Sequence, residues 1–138
     1  MKTKLNCILL VDDDDDCNEY HKIIIEKMEC TDKIEVANDG AEALAFLLSS
    51  DSGGHPKPAI IFLDINMPGM NGWEFLEEYK KLDEKFKAKI VLVMLTTSIN
   101  PDDRNRAIEM GYINGFQNKF LTAATINEIL LEHFPEYL

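Results

Sequence analysis

Residues 60–72 read Ile60-Ile61-Phe62-Leu63-Asp64-Ile65-Asn66-Met67-Pro68-Gly69-Met70-Asn71-Gly72. Four apolar residues in a row, with no polar residue at alternate positions, give the pattern of a strand buried on both faces. The run stops at an acid, and Pro68, Gly69 and Gly72 mark the following stretch as a loop. Working outward, residues 7–11 (Cys-Ile-Leu-Leu-Val) and 90–95 (Ile-Val-Leu-Val-Met-Leu) repeat the same pattern. Alanine at 59 extends the central strand to 59–63. Shorter strands are read at 34–36 and, more weakly, at 112–117.

Helical segments fall between these strands. Residues 15–28 carry helical spacing, with Tyr20, Ile23, Ile24 and Lys27/Met28 along one side. Asn38-Asp39-Gly40 turns the chain into a helix over 41–48 by propensity. Residues 73–86 are amphipathic through Phe75, Leu76, Tyr79 and Leu82. Asn100-Pro101 is an N-cap with proline at the first helical position, opening a helix that runs to Met110 before Gly111. Residues 123–134 close the chain, with Ile126, Ile129, Leu130 and Phe134 at helical spacing and Leu131 off that stripe. Residues 49–58 form a polar Gly/Pro-rich loop. Strands therefore alternate with helices five times, and doubly buried strands in that alternation mean an α/β fold: a parallel sheet covered by helices on both faces.

The chain has 138 residues and 46% apolar content, enough for one core. Its formal charge of −11 argues against direct binding to nucleic acid, which is held by Lys/Arg-rich surfaces. Cys7, Cys17 and Cys30 form no metal-ligand spacing, and an odd number of scattered thiols suits a reducing cytosol. The N-terminal apolar run is short, ends in five aspartates and lacks a small-residue cleavage site, so it does not read as a signal peptide. No apolar stretch approaches membrane-spanning length. The expectation is a single cytoplasmic domain over residues 1–138.

The chemistry gathers where the strands end. Asp12 and Asp13 follow the first strand, Asp64 the third, Thr96 and Thr97 the fourth, and Lys119 lies near the end of the fifth. Ligands of such sheets bind beyond the carboxyl ends of the strands. Crowded carboxylates at about 4 Å repel by roughly 4 kcal/mol at an effective dielectric of about 20. A hard divalent cation with oxygen ligands removes that cost, and Mg2+ suits a site that keeps several waters. A carboxylate can also attack phosphorus to give an acyl phosphate, while a cation, an ammonium and a hydroxyl neutralise the phosphoryl oxygens. Taken singly, Asp12, Asp13 or Asn66 would serve equally as turn residues or caps, Thr96 as a strand end, and Phe116 as core. Asp14, Asp15 and Asp16 are left to such local roles, and His21, His55 and His133 have no ligand spacing.

The chain resembles the receiver domains of two-component response regulators over nearly its whole length. The resemblance rests on ILLVDD at residues 8–13, IIFLDINMPGMNG at 60–72, LTTS at 95–98 and the position of Lys119. It implies a five-stranded, flavodoxin-like sheet of order 2-1-3-4-5 and a stand-alone regulator without an output domain. Such a protein accepts a phosphoryl group from the phosphohistidine of a histidine kinase or phosphotransfer protein and switches protein–protein interactions. It catalyses its own phosphorylation and dephosphorylation and is not an enzyme acting on a separate substrate. By position, Asp64 is implied as phosphoacceptor, and Asp12, Asp13, Asp64 and the Asn66 carbonyl as the Mg2+ site. Thr96 and Lys119 are implied as phosphoryl-binding groups, Thr97 as the small residue that leaves access to Asp64, and Phe116 as the switch aromatic. A downstream protein or a homodimer is the implied readout, with neither nucleic acid nor membrane as partner. The 49–58 loop and the Asn100-Pro101 helix start resemble small regulators paired with phytochrome-type or hybrid kinases.

Two departures stand out. Phe120 follows Lys119 where the family usually has proline after a cis bond, so a trans bond is expected here. Phe116 lacks the hydroxyl of the commoner tyrosine. Among rival readings, an aspartyl-nucleophile phosphatase of the haloacid-dehalogenase type needs a second acid two residues after the nucleophile, and Asn66 stands there. A pure interaction module would have lost members of the constellation. A flavodoxin would show a Ser/Thr/Gly phosphate loop after the first strand.

Overall fold

The computed structural model describes residues 4–49, 58–65, 67, 69–82, 91–96, 101–110, 115–118 and 120–134. Its elements alternate as β1 (Ile8–Val11), α1 (Asp15–Met28), β2 (Ile34–Ala37), α2 (Gly40–Leu48), β3 (Ile60–Asp64), α3 (Gly72–Lys80), β4 (Val91–Thr96), α4 (Pro101–Met110), β5 (Gly115–Asn118) and α5 (Ala123–His133). The strands form one sheet of order β2-β1-β3-β4-β5, all pairs parallel, as the resemblance implied.

Strand side chains point alternately to the two faces, and here both faces are covered. Ile8, Leu10, Ile60 and Phe62 pack with Ile25 of α1 and Ile126, Ile129 and Leu130 of α5. Leu9, Val11, Ile61 and Leu63 pack with Ala43 and Leu47 of α2 and Phe75, Leu76 and Tyr79 of α3. That explains the lack of polar alternation in β1 and β3. Each fully buried Leu, Ile or Phe of this set contributes about 1.5–3 kcal/mol by leaving water. On α4, the Arg106 guanidinium lies 4.4 Å from the ring centroid of Trp73 on α3.

Helix starts follow local chemistry. Asp14, Asp39, Asn71 and Thr122 are N-caps of α1, α2, α3 and α5, each accepting from backbone N–H groups of the first turn. Asn71 and Glu74 complete a capping box. Asp14 thus has the local role expected of it.

The buried side of α1 differs from the sequence reading. Cys17, Asn18, His21 and Ile25 face inward, while Tyr20 and Ile23 are exposed. Ile24 and Met28 are only partly buried. The reason is that Asn18 and His21 bond to backbone groups of other segments, so burying them costs little. The helix after β3 ends at Lys80, short of the expected Phe86. On α5 the stripe Ile126, Ile129, Leu130 and Phe134 is buried and Leu131 is exposed, as expected.

Candidate functional site

In the order β2-β1-β3-β4-β5 the sequence of strands reverses direction between β1 and β3, which makes the carboxyl ends of these two strands the natural binding edge. Asp12 and Asp13 leave β1, and Asp64 is the last residue of β3, paired with Leu95 of β4. Carboxylate oxygens of Asp12, Asp13 and Asp64 all lie within 4.8 Å of one another. Asp12 and Asp64 are buried, at 2% and 3% exposure, and Asp13 is open to solvent.

Asp12 is held from several directions. Its N–H donates to Ala37 O at 3.0 Å, its own carbonyl accepts from Asn18 Nδ2 at 2.8 Å, and its Oδ1 accepts from Asp14 N–H at 2.9 Å. Asn18 ties α1 to this turn, and its Oδ1 is buried without a hydrogen-bond partner. The loop after Asp64 is closed by two backbone bonds: Ile65 N–H donates to Leu95 O at 3.2 Å, and Gly72 N–H to Ile65 O at 2.9 Å. Gly72 fits because it lacks a Cβ, which would stand 2.7 Å from the Asp64 carbonyl oxygen and 2.8 Å from Ile65 Cα. Gly69 has φ of 72°, in the left-handed region, with open space around it.

Of the residues assigned from sequence, the structure therefore brings Asp12, Asp13 and Asp64 together. Thr96 ends β4, one residue beyond the partner of Asp64, and Phe116 pairs with Met94 in the ladder. Their side chains, together with Asn66, Thr97, Lys119 and the Lys119–Phe120 bond, lie outside the described residues. The sequence reading missed Asn18 and His21, both polar and buried on α1. The available signal was their place on one helix side with Cys17 and Ile25, at spacings of three, four and one.

Three carboxylates supply hard oxygen donors, the kind a hard divalent cation prefers, and two of them are too buried to be shielded fully by solvent. Asp64 additionally ends a rigid strand, which holds a would-be nucleophile at a fixed place.

A family model described as the response regulator receiver domain matches residues 8–130, and the chain belongs to that family. It is 34% identical over 134 residues to the Probable methanogenesis regulatory protein FilR2 of Methanothrix harundinacea (strain 6Ac), covering 94% of this chain and 81% of that one. It is 31% identical over 113 residues to Response regulator Rcp1 of Synechocystis, covering 81% and 75%. A solved two-component response regulator from Cytophaga hutchinsonii superposes with a TM-score of 0.80 at 30% identity, covering 94% of this chain and 97% of that one. The protein is thus a response regulator of two-component signal transduction, a system in which receivers work with histidine kinases.

Proposed function

We propose that this receiver is a phosphorylation switch in which Asp64 is the phosphoacceptor. The observation that supports this best is the meeting of three carboxylates at the β1–β3 edge, within 4.8 Å, with Asp64 fixed at a strand end. An Asp64 carboxylate oxygen attacks the phosphorus of a kinase phosphohistidine. The P–N bond breaks, the imidazole leaves, and an acyl phosphate remains on Asp64.

Asp12, Asp13, Asp64 and the Asn66 carbonyl are the proposed Mg2+ ligands. The ion would supply positive charge to the phosphoryl oxygens and cancel the repulsion among the acids. Thr96 and Lys119 are assigned to those oxygens, and Phe116 to the switch, by resemblance. The chain is proposed as a phosphoacceptor that promotes its own transfer and hydrolysis, without a separate substrate. The fold's likeness to the Cytophaga regulator supports a receiver whose phosphorylated surface is read by a partner protein or a second copy. Three buried cysteines, none of them in a disulfide, favour a cytoplasmic setting, and no helix among the described residues is long and apolar enough to cross a membrane.

Incubation with phosphoramidate and Mg2+, read by intact mass, tests the reading. Wild type should gain one phosphoryl group and Asp64→Asn none, since an amide is not a nucleophile. A phosphorylated Asp64→Asn refutes the assignment, and an unmodified wild type favours the interaction-module alternative.

A further inference from the structure

His21 sits on α1 with 1% of its surface exposed. Its Nε2 accepts from Leu121 N–H at 2.9 Å, and its Nδ1 lies 3.7 Å from Cys17 Sγ. A ring nitrogen that accepts holds no proton, so the neutral ring carries its proton on Nδ1, toward the sulfur. The Leu121 bond joins residues 100 positions apart and ties α1 to the stretch between β5 and α5. Phe120 is held in the same place: its ring meets Tyr20 and His21 edge-on, with centroids 5.6 and 6.0 Å apart. Leu121 is fully buried, and Thr122 then caps α5. On the other side, Asn118 pairs with Thr96 in the β-ladder.

Lys119 is thus the single residue between ladder-bound Asn118 and a Phe120–Leu121 segment held by α1. A proline at 120 would stiffen this connection by fixing φ, and phenylalanine does not. Building on the assignment of Lys119 under Proposed function, we infer that His21 is a positioning residue for phosphoryl transfer. Its Nε2, by accepting from Leu121 N–H, fixes the chain segment from which Lys119 reaches the Asp64 phosphoryl group. His21 acts through the peptide two residues after Lys119.

The role predicts a split between two readouts. Mg2+ affinity, set by the acids, should be unchanged in His21→Leu, while phosphorylation by phosphoramidate should slow by about ten-fold or more, the scale on which misplaced catalytic groups act. His21→Gln, whose side-chain oxygen can reach the Leu121 N–H, should recover most of the rate. His21→Asn, which is too short, should not, and it replaces the leucine variant if that one fails to fold. In a Lys119→Ala background, removing the histidine should cost nothing further. The inference is overturned if His21→Leu or His21→Asn reacts at the wild-type rate, if His21→Gln is as slow as they are, or if the losses at His21 and Lys119 add in full. Should Lys119→Ala itself react at the wild-type rate, the assignment of Lys119 fails first and the inference falls with it.

Discussion

Gly72→Ala tests whether Asp64, the proposed phosphoacceptor, is held in place by the return of its own loop. Gly72 opens α3 and donates to Ile65 O. An added Cβ would meet the Asp64 carbonyl oxygen at 2.7 Å, against the 3.4 Å at which ordinary contact begins, so about 0.7 Å must be found by moving backbone. The obstructing atoms are the Asp64 carbonyl and Ile65 Cα, and no flexible side chain can yield instead. Overpacking of this kind costs about 1–3 kcal/mol, and alanine's gain in helix propensity and unfolded-state entropy returns up to about 1 kcal/mol. A net loss near 1–2 kcal/mol lowers Tm by about 4–8 °C in a domain of this size. Two of the three obstructing atoms belong to Asp64 itself, so the Mg2+-dependent rise in Tm should shrink as well. Gly69→Ala is the control: its φ of 72° costs an alanine roughly 1 kcal/mol, but nothing lies within 4 Å of the new Cβ. That variant should melt lower and keep the full Mg2+ shift. Thermal melts with and without Mg2+ decide it. A Gly72→Ala protein with wild-type melting and Mg2+ response, or a Gly69→Ala protein that loses the response equally, would refute the reasoning.

Three further outcomes are expected. Mg2+ at ten times its Kd should stabilise wild type by about 1.4 kcal/mol, and Asp13→Asn should reduce that gain; equal melting shifts in the two proteins would exclude Asp13 as a ligand. Burial pushes the Cys7 thiol up from 9.0 to about 11, with Lys33 opposing and Glu35 reinforcing the shift. The folded state therefore keeps the Cys7 proton where the unfolded chain loses it, so the contribution of Cys7 to stability is constant up to about pH 9 and is lost as pH rises toward 11; a denaturation series in which Cys7→Ala does not reduce that loss would contradict this. Leu131 of α5 and Ile108 of α4 are large exposed apolar residues. If activation drives self-association through this surface, light scattering with beryllium fluoride should show a larger species that Leu131→Lys abolishes without changing the melting temperature by more than about 2 °C.

How far the sequence speaks depends on whether the deciding interaction is local. The doubly buried strands were legible because β1 and β3 carry an unbroken apolar run. The acid cluster was legible for a different reason: strands of a parallel sheet all end at the same edge, so residues that follow them meet. The buried side of α1 was not. Tyr20 and Ile23 have the character of core residues and are exposed, whereas Asn18 and His21 have the character of surface residues and are buried. What reverses the order is a carbonyl six residues back and an N–H one hundred residues ahead. No spacing rule contains the second of these.

The three acids are not equivalent, and the difference bears on how the site binds. At a separation within 4.8 Å, two ionised carboxylates repel by about 3 kcal/mol or more at an effective dielectric near 20. Water screens little of such a repulsion in the pair Asp12–Asp64, because both residues are buried. Asp12 cannot turn away cheaply, since its N–H, its carbonyl and its Oδ1 are each bonded to a different part of the chain. Asp64 is fixed by the β3–β4 ladder and by the loop that Gly72 closes. Asp13 has solvent around it and can relax outward. The backbone therefore holds two acids close together, and a divalent cation bound between them would offset their mutual repulsion. The third acid must be ordered on binding, at a cost of about 0.5–1.5 kcal/mol for a side chain brought to rest. On this account most of the affinity of the proposed Mg2+ site resides in the buried pair and its tethers, and Asn18, whose amide holds the Asp12 carbonyl, supports that site from α1.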